Sequence, residues 1–145
     1  MASINQIQDE IIEEFAFLEN WEDKYEYIID LGKKLPPMPD GHKSEDTKIK
    51  GCQSQVWIYP YQQEGKVFFE GDSDALIVRG LVAMVVRTLS GQPAADIARA
   101  DLYFPTQIGM DRHLAPTRSN GLAAMIKQVK LYGAALAAQQ AAANN

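Results

Sequence analysis

Cys52 is the only cysteine in the chain of 145 residues, and its neighbours favour a reactive thiol. A lone cysteine is more often a small buried side chain without chemistry. Here Gly51 gives the backbone freedom to bring another surface close. Lys48 and Lys50 place positive charge near the sulfur, which favours the thiolate. With Ser54 they form a polar supporting loop that ends where a strand is predicted to begin, a boundary at which functional side chains concentrate.

The rest of the sequence limits what such a thiolate can do. A disulfide oxidoreductase would need a second cysteine. A cysteine hydrolase would need a histidine base, and His42 and His113 are more simply explained as loop residues. A sulfur carrier needs neither, because its thiolate attacks the outer sulfur of a donor persulfide and displaces the donor thiolate. One cysteine and two histidines are also too few ligands for a zinc site or a self-contained iron–sulfur cluster, so we expect no bound metal.

Composition and charge exclude several other classes of protein. The net charge is −5, and no cluster of Lys and Arg along the sequence suggests a nucleic-acid or membrane partner. The first ten residues do not resemble a secretory signal. The longest apolar stretch, residues 75–89, carries Arg79 and Arg87 and predicts a buried helix rather than a membrane span. We therefore expect a soluble cytoplasmic protein.

The first third of the chain has readable helical patterns. Apolar residues at spacings of three and four predict an amphipathic helix within residues 1–19, with Ser3 and Gln6 as a capping box. A second helix is predicted to begin after Asn20. Residues 35–47 combine a proline-rich stretch with a polar one, which predicts a stiff connector followed by an exposed loop.

A small sheet is predicted in the middle of the chain. Residues 55–59, limited by Pro60, and residues 66–70 are rich in β-branched and aromatic side chains, and residues 61–65 join them as a hairpin. A third strand near residues 48–51 is left open by the pattern.

The second half of the chain is predicted to be mostly helical. A long helix, capped by Asp72 or Ser73 and ending near Ser90, is apolar on most faces and is expected at the centre of the domain. A short helix follows over residues 93–99.

The C-terminal part is less regular in pattern. Residues 101–116 are expected to be irregular, and a last helix is predicted from near Ser119. Residues 137–145 are rich in alanine and amides and are expected to fray. The order of elements predicts an α+β fold in a single domain, residues 1–145, with a small antiparallel sheet packed against helices.

Four ordered blocks of the sequence resemble the SufE/CsdE family of sulfur-acceptor proteins of iron–sulfur metabolism. The block at the cysteine is Gly51-Cys52-Gln53-Ser54-Gln55-Val56-Trp57, which alone would be moderately specific. The other blocks are residues 20–25 with 27–32, 71–75 with 77–81, and 113–122. Four blocks in the same order are strongly specific, and they cover nearly the whole domain.

The resemblance implies a fold, a role for the cysteine and a set of partners. The implied fold is similar to that of the cluster scaffold IscU, and Cys52 would carry the persulfide. The implied donor is a cysteine desulfurase similar to SufS or CsdA, which uses pyridoxal phosphate, whereas this chain would need no cofactor. The sulfur would pass to a downstream iron–sulfur scaffold. One departure from the expected pattern is Ala115, where a hydroxyl residue is expected before the proline.

Two other residues of the matched blocks have structural and functional interpretations. Asp74 is expected to belong to a turn and helix cap. Arg118 is expected to form a structural ion pair, or to contact the partner. Two alternative functions also stay open: an iron–sulfur scaffold, whose clusters would have to bridge subunits, and a stand-alone thiol enzyme.

The same segment predicts that the sulfur is sheltered. We expect Cys52 to point partly inward, into a small apolar pocket whose walls are Val56, Trp57 and Ile58. Docking to the desulfurase would turn the loop outward, and Gly51 would absorb the change in the backbone.

Overall fold

The computed structural model describes residues 2–143 of the chain. These residues contain seven α-helices and a three-stranded antiparallel sheet. In chain order the elements are α1 (Ile4–Ala16), α2 (Trp21–Lys33), a 3-10 helix (Asp40–His42), β1 (Val56–Gln63), β2 (Lys66–Ser73), α3 (Leu76–Leu89), β3 (Gln92–Pro93), α4 (Ala94–Arg99), α5 (Phe104–Ile108), α6 (Met110–His113) and α7 (Pro116–Ala143). The predicted α+β class is confirmed. None of these helices is long and apolar enough to cross a membrane.

The two N-terminal helices begin where their capping residues predict. The Ser3 hydroxyl accepts from the backbone N–H of Gln6, and the Gln6 side chain accepts from the backbone N–H of Ser3. The Asn20 side chain accepts from the N–H of Asp23 at 2.8 Å, which caps α2. Each cap satisfies an N–H that the first turn of a helix leaves unpaired.

The hairpin is longer than the sequence predicted. Its turn is Glu64-Gly65, with φ of 54° and 78°, a backbone twist that suits a two-residue connection between antiparallel strands. The prediction that Pro60 limits β1 is wrong, because β1 is an edge strand of the sheet. Opposite it, the N–H of Phe69 donates to Ser90 Oγ rather than to β1, so the Pro60 nitrogen faces the open edge, where no donor is needed.

The segment before Cys52 joins the sheet only through a single bridge. Lys48 bridges Trp57, and the Ile49 N–H donates to Val56 O at 2.8 Å. The third strand of the sheet is instead the short β3, which pairs with β2. Pro93 therefore belongs to β3 and precedes α4, and does not lie in that helix's first turn. Ile49 is nonetheless buried in the core, which anchors the segment against β1.

Helix α3 lies at the centre of the domain, as its apolar faces predicted, and its backbone touches that of α2. A Cβ built at Gly80 would lie 2.1 Å from the carbonyl oxygen of Ile28. Gly32 on α2 has the matching constraint, since its Cβ would lie 2.7 Å from the Gly80 nitrogen. Only glycines allow the two helices to approach this closely.

The predicted cap of α3 is wrong. The helix starts at Leu76, its N-cap is Ala75, and no side chain caps it. Asp72 and Ser73 belong to β2. The Asp72 carboxylate is held instead by an ion pair with Lys43 at 2.7 Å, so it is not available as a cap.

Two short helices, α5 and α6, occupy the region predicted to be irregular. The buried Gln8 of α1 holds the start of α5, since its Oε1 accepts from the N–H groups of Tyr103 and Phe104. Helices this short are stabilised by such tertiary contacts and have too few residues for a readable period. Helix α7 begins at Pro116 rather than near Ser119.

Helix α7 also continues through Ala143, over most of the segment expected to fray. The Gln140 amide in that segment donates to Gln62 Oε1 of β1 at 2.9 Å. Residues 144 and 145 lie outside the described residues.

We expect Gly80→Ala to lower the free energy of unfolding by about 2 kcal/mol, because the clash with the Ile28 backbone costs about 3 kcal/mol and the gain in helix propensity returns about 1 kcal/mol. Urea unfolding followed by circular dichroism would measure the change. Gly41→Ala is the control, since its Cβ would meet nothing within 4 Å. Equal midpoints for the two variants would show that the helices can separate without cost.

Candidate functional site

Cys52 lies on the loop that enters β1, with its sulfur turned toward α7. The side chain is half-buried, and its thiol donates to the carbonyl oxygen of Gly121 at 3.6 Å. A Cβ on Gly121 would lie 3.4 Å from the Cys52 sulfur, at the short limit of an ordinary van der Waals contact. The absence of a side chain on Gly121 therefore lets the sulfur sit directly on the helix.

The sulfur faces a cavity of about 270 Å³ between the loop, α3 and α7. Val78 and Met125 supply apolar walls, and the other lining residues are Gln53, Ser54, Ala115, Thr117, Arg118 and Gly121. Val56, Trp57 and Ile58, the walls expected from the sequence, do not line it; Val56 and Ile58 are fully buried in the core. The sulfur does point partly inward, but the pocket is built from helices rather than from the strand.

Gly51 adopts a backbone conformation that a glycine suits best. Its φ is +90°, in the region that side chains disfavour, and a Cβ there would lie 3.6 Å from that of Ala124 on α7. The loop thus crosses close to the helix just before the cysteine, as the sequence suggested for this glycine.

Asp74 fastens the other end of the loop. Its carboxylate accepts from the N–H of Gln55 at 3.0 Å, and its own N–H donates to the Gln55 carbonyl at 3.2 Å. The side chain ties the start of β1 to the turn before α3 and does not cap that helix. With the bond between Ile49 and Val56, both ends of the segment 50–54 are fixed, and the cysteine lies between them.

The charges near Cys52 are arranged differently from the prediction. Lys48 and Lys50 do not line the Cys52 cavity but a separate groove. Arg118 is the positive residue that lines the Cys52 cavity; its side chain is exposed and forms no ion pair with another described residue. Burial raises the pKa of the Cys52 thiol, and no charged neighbour offsets this rise. The resting thiol is therefore held in its neutral form at pH 7.

Neither histidine lies in the Cys52 cavity. The His42 ring stacks on Tyr59 with 3.9 Å between the ring centres, and its Nδ1 pairs with Glu70. The His113 ring stacks on Trp21 at 4.5 Å. Among the described residues, no group of three or more His, Cys, Asp or Glu side chains is placed to hold a metal ion.

Two aromatic residues of α2 hold the wall of the cavity, and sequence reasoning did not assign them this position. Trp21 stacks on His113, and the Tyr25 hydroxyl donates to the His113 carbonyl. These contacts fix the turn that leads into α7, where Ala115 and Arg118 line the cavity. The only sequence signal was that both segments belong to the matched blocks, which carries no information on their contact in space.

Comparisons with known proteins identify the family to which this chain belongs. The family model of SufE, described as an Fe-S metabolism associated domain, matches residues 9–133. A SufE-like protein of Rhizobium meliloti (strain 1021) is 46% identical over 127 residues, which is 84% of this chain and 91% of the relative. A SufE-like protein of Rhizobium etli is also 46% identical over 127 residues, covering 84% of this chain and 86% of the relative.

A solved structure supports the fold independently. The solution structure of a hypothetical protein from Thermus thermophilus superposes with a TM-score of 0.76, at 19% identity, over 91% of this chain and 96% of that one. At this identity the likeness concerns the fold alone. The family model and the relatives settle the family: the chain belongs to the SufE family, and its role lies in iron–sulfur metabolism.

The rate at which iodoacetamide alkylates Cys52 should rise with pH. We expect the midpoint of this rise to lie at a higher pH in the folded protein than in urea. Burial raises the thiol pKa in the folded state, so less thiolate is present at a given pH. The folded state keeps the thiol proton to higher pH than the unfolded state does. The raised pKa therefore contributes stability that is fully present at pH values below the thiol pKa of the unfolded state. That stability is lost as the pH rises through the folded pKa.

The variant Gly121→Ala tests the cause of this shift. The added methyl group crowds the sulfur from α7 and should displace it outward, which moves the midpoint toward the value in urea. Gly41→Ala is the control. If wild type and Gly121→Ala both titrate as they do in urea, the sulfur is not sheltered in solution.

Proposed function

We propose that this protein accepts sulfur from a cysteine desulfurase as a persulfide on Cys52 and delivers it to iron–sulfur cluster assembly. The observation that carries the proposal is the position of its one cysteine. Cys52 lies on a loop fixed at both ends, half-buried, with its sulfur facing a cavity. Membership of the SufE family supports the metabolic context.

The transfer step needs no redox partner and no second cysteine. The Cys52 thiol first loses its proton to solvent. The thiolate then attacks the terminal sulfur of the donor's persulfide, so that an S–S bond forms on Cys52 while the S–S bond of the donor breaks. The donor cysteine leaves as a thiolate and is free for the next turnover. In this way the carrier would also activate the desulfurase, whose pyridoxal phosphate supplies the carbon–sulfur chemistry.

The cavity suits the loaded cysteine. Its volume of about 270 Å³ leaves room for one further sulfur atom beyond that of Cys52. The half-buried position of the sulfur limits the access of water-borne thiols, on which the rate of exchange depends. Arg118 on the same cavity supplies positive charge for a persulfide anion. We place the carrier in the cytoplasm, where thiols stay reduced.

The loop must open for the donor to reach the sulfur. The hydrogen bonds of Ile49 and Gln55 hold the two ends, so the movement is confined to residues 50–54. Gly51 can absorb the change in φ and ψ. Once exposed, the thiol loses the burial that raises its pKa, and it becomes reactive when the donor is in place. The sulfur then passes to a downstream iron–sulfur scaffold by a second exchange of the same kind.

Incubation with an active cysteine desulfurase and cysteine should add one sulfur atom to Cys52, and a reductant should remove it. Intact-protein and peptide mass spectrometry would locate the added mass. Cys52→Ser is the matched control, since it keeps the fold at a cost of about 1 kcal/mol or less but removes the nucleophile. Sulfur found equally on wild type and Cys52→Ser, or on neither, would refute the carrier role.

Docking should open the loop. With a desulfurase whose nucleophilic cysteine has been replaced by alanine, we expect faster hydrogen exchange of residues 50–54 than in the free protein. The backbone of β2, which lies on the other side of β1 from this loop's attachment, is the internal reference. Unchanged exchange in the bound state, with binding shown by gel filtration, would mean that the sulfur is reached without opening.

A further inference from the structure

Two pairs of lysines that lie far apart in the sequence line two neighbouring grooves beside the Cys52 loop. Lys48 and Lys50 line a groove of about 550 Å³ with Lys127 of α7. Lys127 also lines a neighbouring groove together with Lys130. In the described part of the chain none of these four side chains has an ion pair with another residue. By contrast, Lys43, Arg87 and several other cations are paired with carboxylates.

Apolar side chains lie between these lysines. Leu131, which is 52% exposed, and Ala124 belong to the first groove. The second groove, on the other side of Leu131, is more apolar still; its small and aliphatic lining residues are Ala98, Ala123, Ile126 and Ala134. We call the two grooves together the lysine groove. A surface that alternates exposed apolar side chains with unpaired cations suits an amphipathic segment with acidic residues.

The lysine groove is directly continuous with the loop that carries the cysteine. Lys50 is the first residue of the segment 50–54, and it precedes Gly51, whose backbone approaches Ala124 of the groove. Lys48 and Lys127 lie on the fixed parts of the structure. A partner seated in the groove would therefore hold the fixed wall with two lysines and act on the movable loop through the third.

We propose that the lysine groove is the docking site for an acidic, amphipathic surface segment of the sulfur-donating desulfurase. This inference rests on the proposed function and adds the chemistry by which the donor is recognised. Of the partners in the proposed transfer, the donor is the one for which the loop must open, and the groove borders that loop at Lys50. The chain as a whole carries a charge of −5, which repels an acidic partner everywhere except at such a basic surface.

Two acidic residues set the direction in which the segment lies. Glu45 and Asp46 line the first groove but not the second, whereas Lys127 lines both and Lys130 lines the second. An acidic segment would avoid these two carboxylates and place its own along α7 and toward Lys50. The concave shape and the two carboxylates also distinguish the site from a flat basic surface for anionic lipids.

The test is the binding of Cys52→Ser to the desulfurase, so that no sulfur transfer is required. Adding Lys127→Glu and Lys130→Glu should weaken binding, so that the dissociation constant rises about tenfold or more and depends less on salt. Lys127→Arg with Lys130→Arg keeps the charge and should bind like the parent. The matched control is Lys33→Glu with Lys34→Glu, the same change in charge at the end of α2, where neither residue lines the groove. Circular dichroism checks that each variant is folded.

The outcomes separate the docking surface from the carrier role. Equal dissociation constants for the two charge reversals would overturn the docking surface, even if the desulfurase loads Cys52 of the wild type. Selective weakening by the α7 reversal, with no sulfur ever found on wild-type Cys52, would support the surface and refute the carrier. Binding to phosphatidylserine vesicles that depends on Lys127 and Lys130, with desulfurase binding unchanged, would overturn the proposal in favour of a membrane.

Discussion

The close contact between the backbones of α2 and α3 fixes the geometry of this domain. Gly80 lies against the carbonyl of Ile28, and no side chain separates the two helices there. On the other side of α3, Gly71 of β2 meets Val82, so the central helix is held from both sides at short range. Val78, two residues before Gly80, is a wall of the Cys52 cavity. The position of that wall is thus set by packing deep in the core and not by the loop that carries Cys52.

Local signals in the sequence predicted the parts of the fold that depend on local interactions. The capping residues Ser3 and Asn20 mark the starts of α1 and α2, and the apolar faces of α3 marked it as central. The errors occur where a distant contact decides the structure. Gln8 caps α5 across a long interval of sequence, and Asp72 pairs with Lys43 and with Arg79 of α3 instead of capping that helix.

The candidate site shows the same division between local and distant contacts. The cysteine and its glycine could be identified from residues 48–54 and the matched blocks, whereas the bond by which Asp74 fixes one end of the loop was not predicted, since Asp74 was expected in a turn and helix cap. The cavity walls could not, because Val78, Arg118 and Met125 come from two helices whose packing is not encoded in any local pattern. The lysine groove could not be predicted for the same reason, because Lys50 and Lys127 lie far apart in the sequence and belong to no run of charged residues. Even the electrostatic prediction was altered by packing, since the two lysines line a different groove from that of the sulfur and burial raises the pKa of the thiol.

The half-buried position of Cys52 also bears on its resistance to damage. Peroxide attacks the thiolate and converts it to sulfenic acid, and further oxidation to the sulfinic and sulfonic acids is essentially irreversible. Other proteins can trap a sulfenic acid with a neighbouring cysteine, but this chain has no second cysteine to do so. Protection of the Cys52 thiol must therefore prevent its first oxidation. A neutral thiol held against the Gly121 carbonyl presents little thiolate to an oxidant, so the burial that raises the thiol pKa also slows the first oxidation of Cys52.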